Sequence, residues 1–578
     1  MAIAAPPTFS ASFRPTRTYS PPSFTRLFSP PSTTKPLRRL TLSARLNSVS
    51  PDNGDLQGEL FHGFSPQRRR RGSPVFVTMP IDSVDPLGGQ VRRRKTMNQS
   101  FKALVAAGVE GVVMEVWWGI VERDQPRVYN WQGYLAIVEL AKRCGLKVRA
   151  VLAFHQCGSG PPDPNWLVEK FRWILISLDC FPLISSRSYM LYICLMVSWT
   201  TKYMARHFFH QLPFIPLPLW VLDEIDKDPD LAYCDRFGRR NTEYISLGCD
   251  SLPVLRGRSP LQVYADFMRN FRDTFKHFIG VIIIGIQIGM GPAGELRYPS
   301  CPTQKLTSAW RTREIGEFQC YDKYMLASLN ARAREIGMPE WGNGGPIGAS
   351  NLMQNPEETK FFRSDGGSWN TSYGMLLLHG ERLCREAEAI FWGTKANTSA
   401  KVAGLHWHYL TQSHPSELTA GYYNTSTRDG YLPIARMFAR YGFSLCCPCF
   451  DLQDLNEKQM NPVSSPEGFL RQLLSAARVC DIPVEAEPSA SSLDDKSFQQ
   501  VVKMSKYYSY GLEKPSFSFN FVRMDKNMFE LHNWVRFTRF VRQMSDVSIF
   551  RAKLDVDSRR FSTSVSDVAK FGMASAYC

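Results

Sequence analysis

The sequence predicts an α/β protein, a parallel (β/α)8 TIM barrel with long loops at the C-terminal face of its strands, and three observations predict it. Short apolar runs without polar alternation, such as Val281–Ile288 (VIIIGIQI), read as strands covered on both faces, the pattern of a parallel sheet. These runs alternate with segments of helical period, which builds crossover units. Polar side chains then gather just past the ends of the runs, where a barrel keeps its chemistry. A doubly wound open sheet is the alternative arrangement of the same units.

Taken in order, residues 1–70 precede the first unit. Their first acidic residue is Asp52, and the stretch before it is rich in Ser, Thr, Pro and Arg. That is the composition of a chloroplast transit peptide with a disordered basic linker, and the long apolar core of a secretory signal is missing. Most of the +16 net charge sits in residues 1–95, with 15 Lys/Arg against five acids, so the remainder is nearly balanced. The runs Arg68–Arg71 and Arg92–Lys95 read as solvated linkers. Neither lies on a predicted helix that would enter a groove, so a nucleic-acid partner ranks lowest.

The barrel is expected over residues 71–545, followed by a tail at 546–578. Strands are read at Val75–Met79, Gly111–Trp117, Val148–Phe154, Val281–Ile288, Val402–Trp407, Phe443–Cys449, Ile482–Glu485 and Phe517–Val522. Helical patterns include Asn130–Cys144, Ser259–Phe278, Ile315–Ile336 and Ser465–Cys480. The longest apolar stretch outside the strands, Ser188–Trp199, is too short to span a bilayer, so no membrane segment is expected. The 14 cysteines lack metal-ligand spacing; Cys446 and Cys449 form a lone CxxC and read as buried strand thiols. No metal is expected.

The polar groups at strand ends define the candidate site. Glu295 stands in the glycine-rich turn Gly289–Ser300 beyond one strand, with Arg297 beside it. Taken alone it is either a catalytic carboxylate or one half of a structural ion pair. Glu115, His155, His406, His408, Glu487 and Arg523 occupy corresponding places on other strands. Acids, histidines and tryptophans converging on one face suit a sugar site, where aromatic faces stack on rings and polar groups bond hydroxyls.

Several segments resemble plant β-amylase, glycoside hydrolase family 14. They are Trp117–Gly119, Phe154–Gly158, Gly291–Pro299 (GPAGELRYP), Ile315–Tyr324, Glu417–Asn424 and Arg428–Tyr431, and the resemblance runs from about Val75 to Arg542. Within the family, the plastid-targeted branch that includes inactive members looks most similar. The resemblance implies an inverting exo-hydrolase releasing maltose from the non-reducing ends of α-1,4-glucans, without metal or organic cofactor. It gives Glu295 the general-acid role and Glu487 the general-base role. It places Glu115, His155, Asp163, Lys401, His406, Pro448, Pro488 and Arg523 at positions that bind glucose units or support the two acids. Starch or maltodextrin is the implied partner, with other starch-metabolism proteins as further partners and the plastid stroma as location.

The chain departs from the family at several of these positions. Glu115 replaces an aspartate, displacing the carboxylate by about one methylene where little misplacement is tolerated. Pro161 and Pro162 stiffen the lid segment Ser159–Asp163. Pro448 replaces a threonine and Pro488 an asparagine, each removing a backbone donor. These changes support a second reading, a catalytically inactive relative that binds glucan or a partner and regulates starch turnover. Two irregularities read as gene-model faults: residues 167–214 interrupt a continuous family segment as a retained intron would, and Tyr373–Leu376 skips a packed aromatic turn. Loss of that turn predicts a destabilised fold.

Overall fold

The computed structural model describes residues 72–158, 214–299, 319–342, 369–411, 420–489, 493–509 and 516–546, apart from residues 236, 336, 338 and 423. Its centre is a closed, all-parallel barrel of eight strands. Those strands are β1 (Val75–Thr78), β2 (Gly111–Trp117), β3 (Lys147–Ala153), β6 (Ile283–Ile288), β7 (Asn397–Lys401), β8 (Phe443–Cys447), β9 (Val484–Ala486) and β10 (Phe517–Phe521). Two more, β4 (Ala232–Cys234) and β5 (Arg240–Ile245), form an antiparallel hairpin outside the barrel. Closure excludes the open doubly wound sheet, because β1 pairs with both β2 and β10.

Each crossover is helical. The first two are α1 (Arg94–Ala107) and α3 (Gln132–Cys144), with a single turn, α2 (Trp118–Val121), between β2 and α3. Both long helices stop at a glycine in the left-handed region, Gly108 at φ 87° and Gly145 at φ 82°, which carries the chain back to the next strand. Later come α4 (Leu219–Lys227), α5 (Pro260–Phe275), α6 (Lys323–Glu335), α7 (Trp369–Phe391), α8 (Leu432–Arg440), α9 (Asp454–Met460), α10 (Pro466–Val479), α11 (Asp495–Ser509) and α12 (Leu531–Ser545). Helix α5 shows why such segments form. Ser259 and Gln262 make a reciprocal capping box, Pro260 fills the first turn, and Val263, Phe267, Phe271 and Phe275 are fully buried. Each buried phenylalanine is worth about 1.5–3 kcal/mol of transfer free energy.

The barrel interior is polar at several levels. Side chains two residues apart on a strand share a face, so Glu485 and Glu487, Ser399 and Lys401, and Ser518 and Asn520 point inward together. Arg149 of β3 reaches across to Asn520 Oδ1 (2.8 Å), Ser518 Oγ (2.9 Å) and Glu485 (3.6 Å), and Ser399 donates to Glu485 at 3.3 Å. The alternate residues Phe519 and Phe521 face outward onto Phe540 and Phe537 of α12, at 5.3 Å each.

Three expectations are corrected. The fifth barrel strand is Asn397–Lys401, not Val402–Trp407. Its inward positions hold Ser399 and Lys401, so it lacks an apolar run, while the apolar stretch that follows packs as buried loop at the barrel mouth. Helix α6 starts at Lys323 and not Ile315, because Cys320 bridges Cys234 as extended chain and Asp322 accepts the Met325 N–H at the helix entrance. Arg92–Lys95 is not a free linker: Arg94 opens α1, and Arg92 and Arg93 both pair with Asp82. Neither the transit-peptide region nor the first basic run lies among the described residues, and the same holds for the lid segment from Ser159, most of the 167–214 interval and the tail from 547. Helix α7 runs unbroken through Tyr373–Leu376, with Leu376 fully buried. No described helix is long and apolar enough to cross a membrane.

Candidate active site

Glu295 is placed by a strained turn. After β6 the chain passes through Pro292, Ala293 and Gly294, with Ala293 held at φ 54° and ψ 19°, a left-handed conformation that costs a non-glycine residue about 1–2 kcal/mol. Beyond the turn, Glu295 pairs as an extended bridge with Lys401, and the Leu296 N–H donates to the Lys401 carbonyl at 2.8 Å. The glutamate therefore continues the β6–β7 pairing past the end of the barrel. The turn is anchored from behind by His379 of α7. Its Nε2 lies 3.0 Å from the Met290 carbonyl, and its Nδ1 lies 3.0 and 2.9 Å from the two Asp250 oxygens.

The charges around the two glutamates are ordered by Lys401 and Arg297. Glu295 Oε2 accepts from Arg297 Nε at 2.7 Å, and its Oε1 lies 3.9 Å from Lys401 Nζ. The same ammonium lies 2.9 Å from Glu487 Oε2, while Asn520 donates to Glu487 Oε1 at 3.3 Å. Lys401 thus stands between the carboxylates, and their nearest oxygens lie no further apart than those two contacts end to end.

Burial works against an ionised Glu487, but Lys401, Asn520 and the Cys446 thiol outweigh it and hold the pKa below the usual glutamate value. Burial also disfavours the Lys401 ammonium, yet Glu487 and Glu295 overcome it and keep the lysine charged. His155 is pushed down to about 3, first by burial and then by Lys401 and Arg297, so its ring is neutral. Its Nδ1 has no hydrogen-bond partner among the described residues, and the ring lies edge-on to Trp117 at 5.2 Å.

Other expected site residues surround this centre. Glu115 and Arg523 form a two-pronged pair at 2.7 and 3.0 Å, with Arg523 also donating to the Met79 carbonyl at 2.8 Å. His406 is buried, with Nδ1 at 3.0 Å from Ser464 Oγ. Pro448 packs beside Cys449 against Gly404, where an added Cβ would meet the proline ring at 2.9 Å. Pro488 is buried next to Glu487, and the following Ser489 bonds Asp451 through its N–H (2.6 Å) and hydroxyl (2.9 Å). Asp163 lies outside the described residues. Cys446, Cys447 and Cys449 are free and buried, and burial raises all three thiols well above their usual range, which makes them poor nucleophiles. Among the described residues no group of three or more His, Cys, Asp or Glu side chains is placed to hold a metal ion.

Comparison with known proteins decides the family. The sequence matches glycosyl hydrolase family 14 over residues 76–173 and 212–549. Chloroplastic β-amylase 1 from Arabidopsis thaliana is 45% identical over 82% of this chain and 76% of its own length, and the rice protein of the same name is 45% identical over 83% and 81%. This chain belongs to glycosyl hydrolase family 14. A solved structure, the catalytic domain of the Paenibacillus polymyxa β-amylase, superposes with a TM-score of 0.58 at 19% identity, over 83% of this chain and 99% of that domain, which supports the fold.

Measured against family 14, the departures have a physical form. The longer Glu115 does not hang free, because both its oxygens are taken by Arg523, so a sugar hydroxyl must compete for them. The stretch 174–211, which the family does not match, falls inside the interval 167–214 expected to be an insertion. Sequence reasoning missed Glu243, Asn520 and His379. Glu243 sits on a hairpin outside the barrel, Asn520 in the alternating strand Phe517–Phe521, and His379 mid-helix; only the inward parity of Asn520 offered a signal.

Proposed function

We propose that the chain is a plastid β-amylase, an inverting exo-hydrolase that releases maltose from the non-reducing ends of α-1,4-glucans such as starch. The observation that carries this reading is the pair Glu295 and Glu487, set at the mouth of the barrel on either side of Lys401. Glu487, held ionised, takes a proton from a water lying between it and the sugar. That water attacks the anomeric carbon as Glu295 gives its proton to the departing glycosidic oxygen, so the configuration inverts. After the step Glu295 is the anion and Glu487 the acid; Lys401 contacts both and follows the charge as it moves. Arg297 steadies the new carboxylate, and the unpartnered Nδ1 of neutral His155 is free to meet a sugar hydroxyl. Asp163, Lys401, His406 and Arg523 take the glucan-binding places that the family resemblance gives them.

Residues 1–70 act as transit peptide and linker in this reading, a view supported by the chloroplastic names of the relatives. Residues 167–214 are a retained-intron product, which a transcript read across that interval checks. Activity is tested by following soluble starch digestion by proton NMR. Release of β-maltose, lost in Glu295→Gln and Glu487→Gln by about a hundredfold or more, is the expected result; a folded wild-type chain releasing no maltose refutes it. The occupied Glu115 and the prolines at 448 and 488 favour a second reading, a non-catalytic glucan-binding regulator, which predicts maltodextrin binding without turnover.

A further inference from the structure

Glu243 is a carboxylate beside the acid that no step above uses. It lies on β5, in the hairpin outside the barrel, and its Oε1 accepts the N–H of Ala293 at 2.9 Å, at the strained residue of the turn that carries Glu295. Its own carbonyl accepts the N–H of Gln156 at 2.9 Å, beside His155 and at the root of the segment leaving β3. One residue therefore joins the acid's turn to the sugar-facing histidine. We propose that Glu243 is a positioning residue for the reaction: by accepting the Ala293 N–H it fixes the turn that aims Glu295, and through its own carbonyl it ties that turn to the segment that carries His155.

The charges facing this cluster from each element are few. Arg297 follows the acid's turn, Lys401 ends β7, Glu487 follows β9, the thiols of Cys447 and Cys449 come from β8 and its loop, and His155 follows β3. Arg297 feels both Glu295 and Glu243, and the two carboxylates repel each other. Burial raises the Glu243 carboxyl, with Arg297 and the Ala293 N–H working the other way.

The test is Glu243→Gln, which keeps an oxygen for Ala293 and removes the charge. Because the amide oxygen still accepts the Ala293 N–H, Glu243→Gln should retain a kcat about tenfold above that of Glu243→Ala. Glu243→Ala, which also frees the Ala293 N–H, should lower kcat more than it raises KM. A folded Glu243→Ala with the kcat of wild type, or a folded Glu243→Gln as impaired as Glu243→Ala, overturns the proposal. The inference rests on Glu295 being the acid, yet a crystal structure of Glu243→Ala reads a displaced Ala293 turn without turnover, so an inactive wild type defeats the proposed function and leaves this result separately readable.

Discussion

Replacing Lys401 with methionine is the most searching perturbation of this site. The methionine follows the unbranched stem of the lysine and ends one atom short of its ammonium, so most packing is kept, while Glu487 loses the ammonium at 2.9 Å and Glu295 loses the one at 3.9 Å. Removing one partner of a buried pair typically costs about 3–5 kcal/mol, because the remaining charge is left without compensation. Asn520 and Cys446 still contact Glu487, which puts the expected cost near the lower end, about 3 kcal/mol at neutral pH. The sign of the pH dependence follows. In the wild type, the lowered Glu487 pKa gives stability that is present above the unfolded value of about 4.3 and is lost as pH falls through the folded value. In Lys401→Met, burial is opposed only by Asn520 and Cys446, so that pKa rises, and the variant is most destabilised at neutral pH and recovers in acid. Urea denaturation of both proteins at neutral and mildly acidic pH reads the difference. Equal destabilisation at both values, or a loss well under about 1 kcal/mol at neutral pH, refutes the view that Lys401 chiefly compensates the carboxylates.

Two further expectations are accessible. His155 should show no ring titration by NMR across the about pH 5–8 window in which an ordinary histidine ionises, because its pKa lies at about 3. Its burial should also make the fold less stable as pH drops below the unfolded histidine value of about 6.5, and a midpoint inside the window would contradict the arrangement. Combining Glu115→Asp, Pro448→Thr and Pro488→Asn should raise maltose release at least tenfold if the altered mouth limits turnover, measured on soluble starch; a folded triple variant no faster than wild type shows that these positions do not limit it.

Much of the fold was legible from residue order. Apolar runs located seven of the eight barrel strands, and the eighth was displaced because Asn397–Lys401 turns Ser399 and Lys401 into a polar interior and so carries no apolar signature. Glu295 announced itself through the glycine-rich turn after a buried strand, and Glu487 through its place past β9. Helix α1 went unread because it opens on arginines, which look like linker until Asp82 is brought against them.

What the chain determined by itself is the set of chemical groups and their places at strand ends, since period and strand-end position follow from local backbone geometry. Only the closed barrel decided which of those groups meet. Closure sets Lys401 between Glu295 and Glu487, lays both oxygens of Glu115 on Arg523, and brings Glu243 from a separate hairpin onto the turn that carries Glu295. Those contacts join residues far apart in sequence, and their energies depend on burial and neighbouring charge, which exist only once the barrel has excluded water.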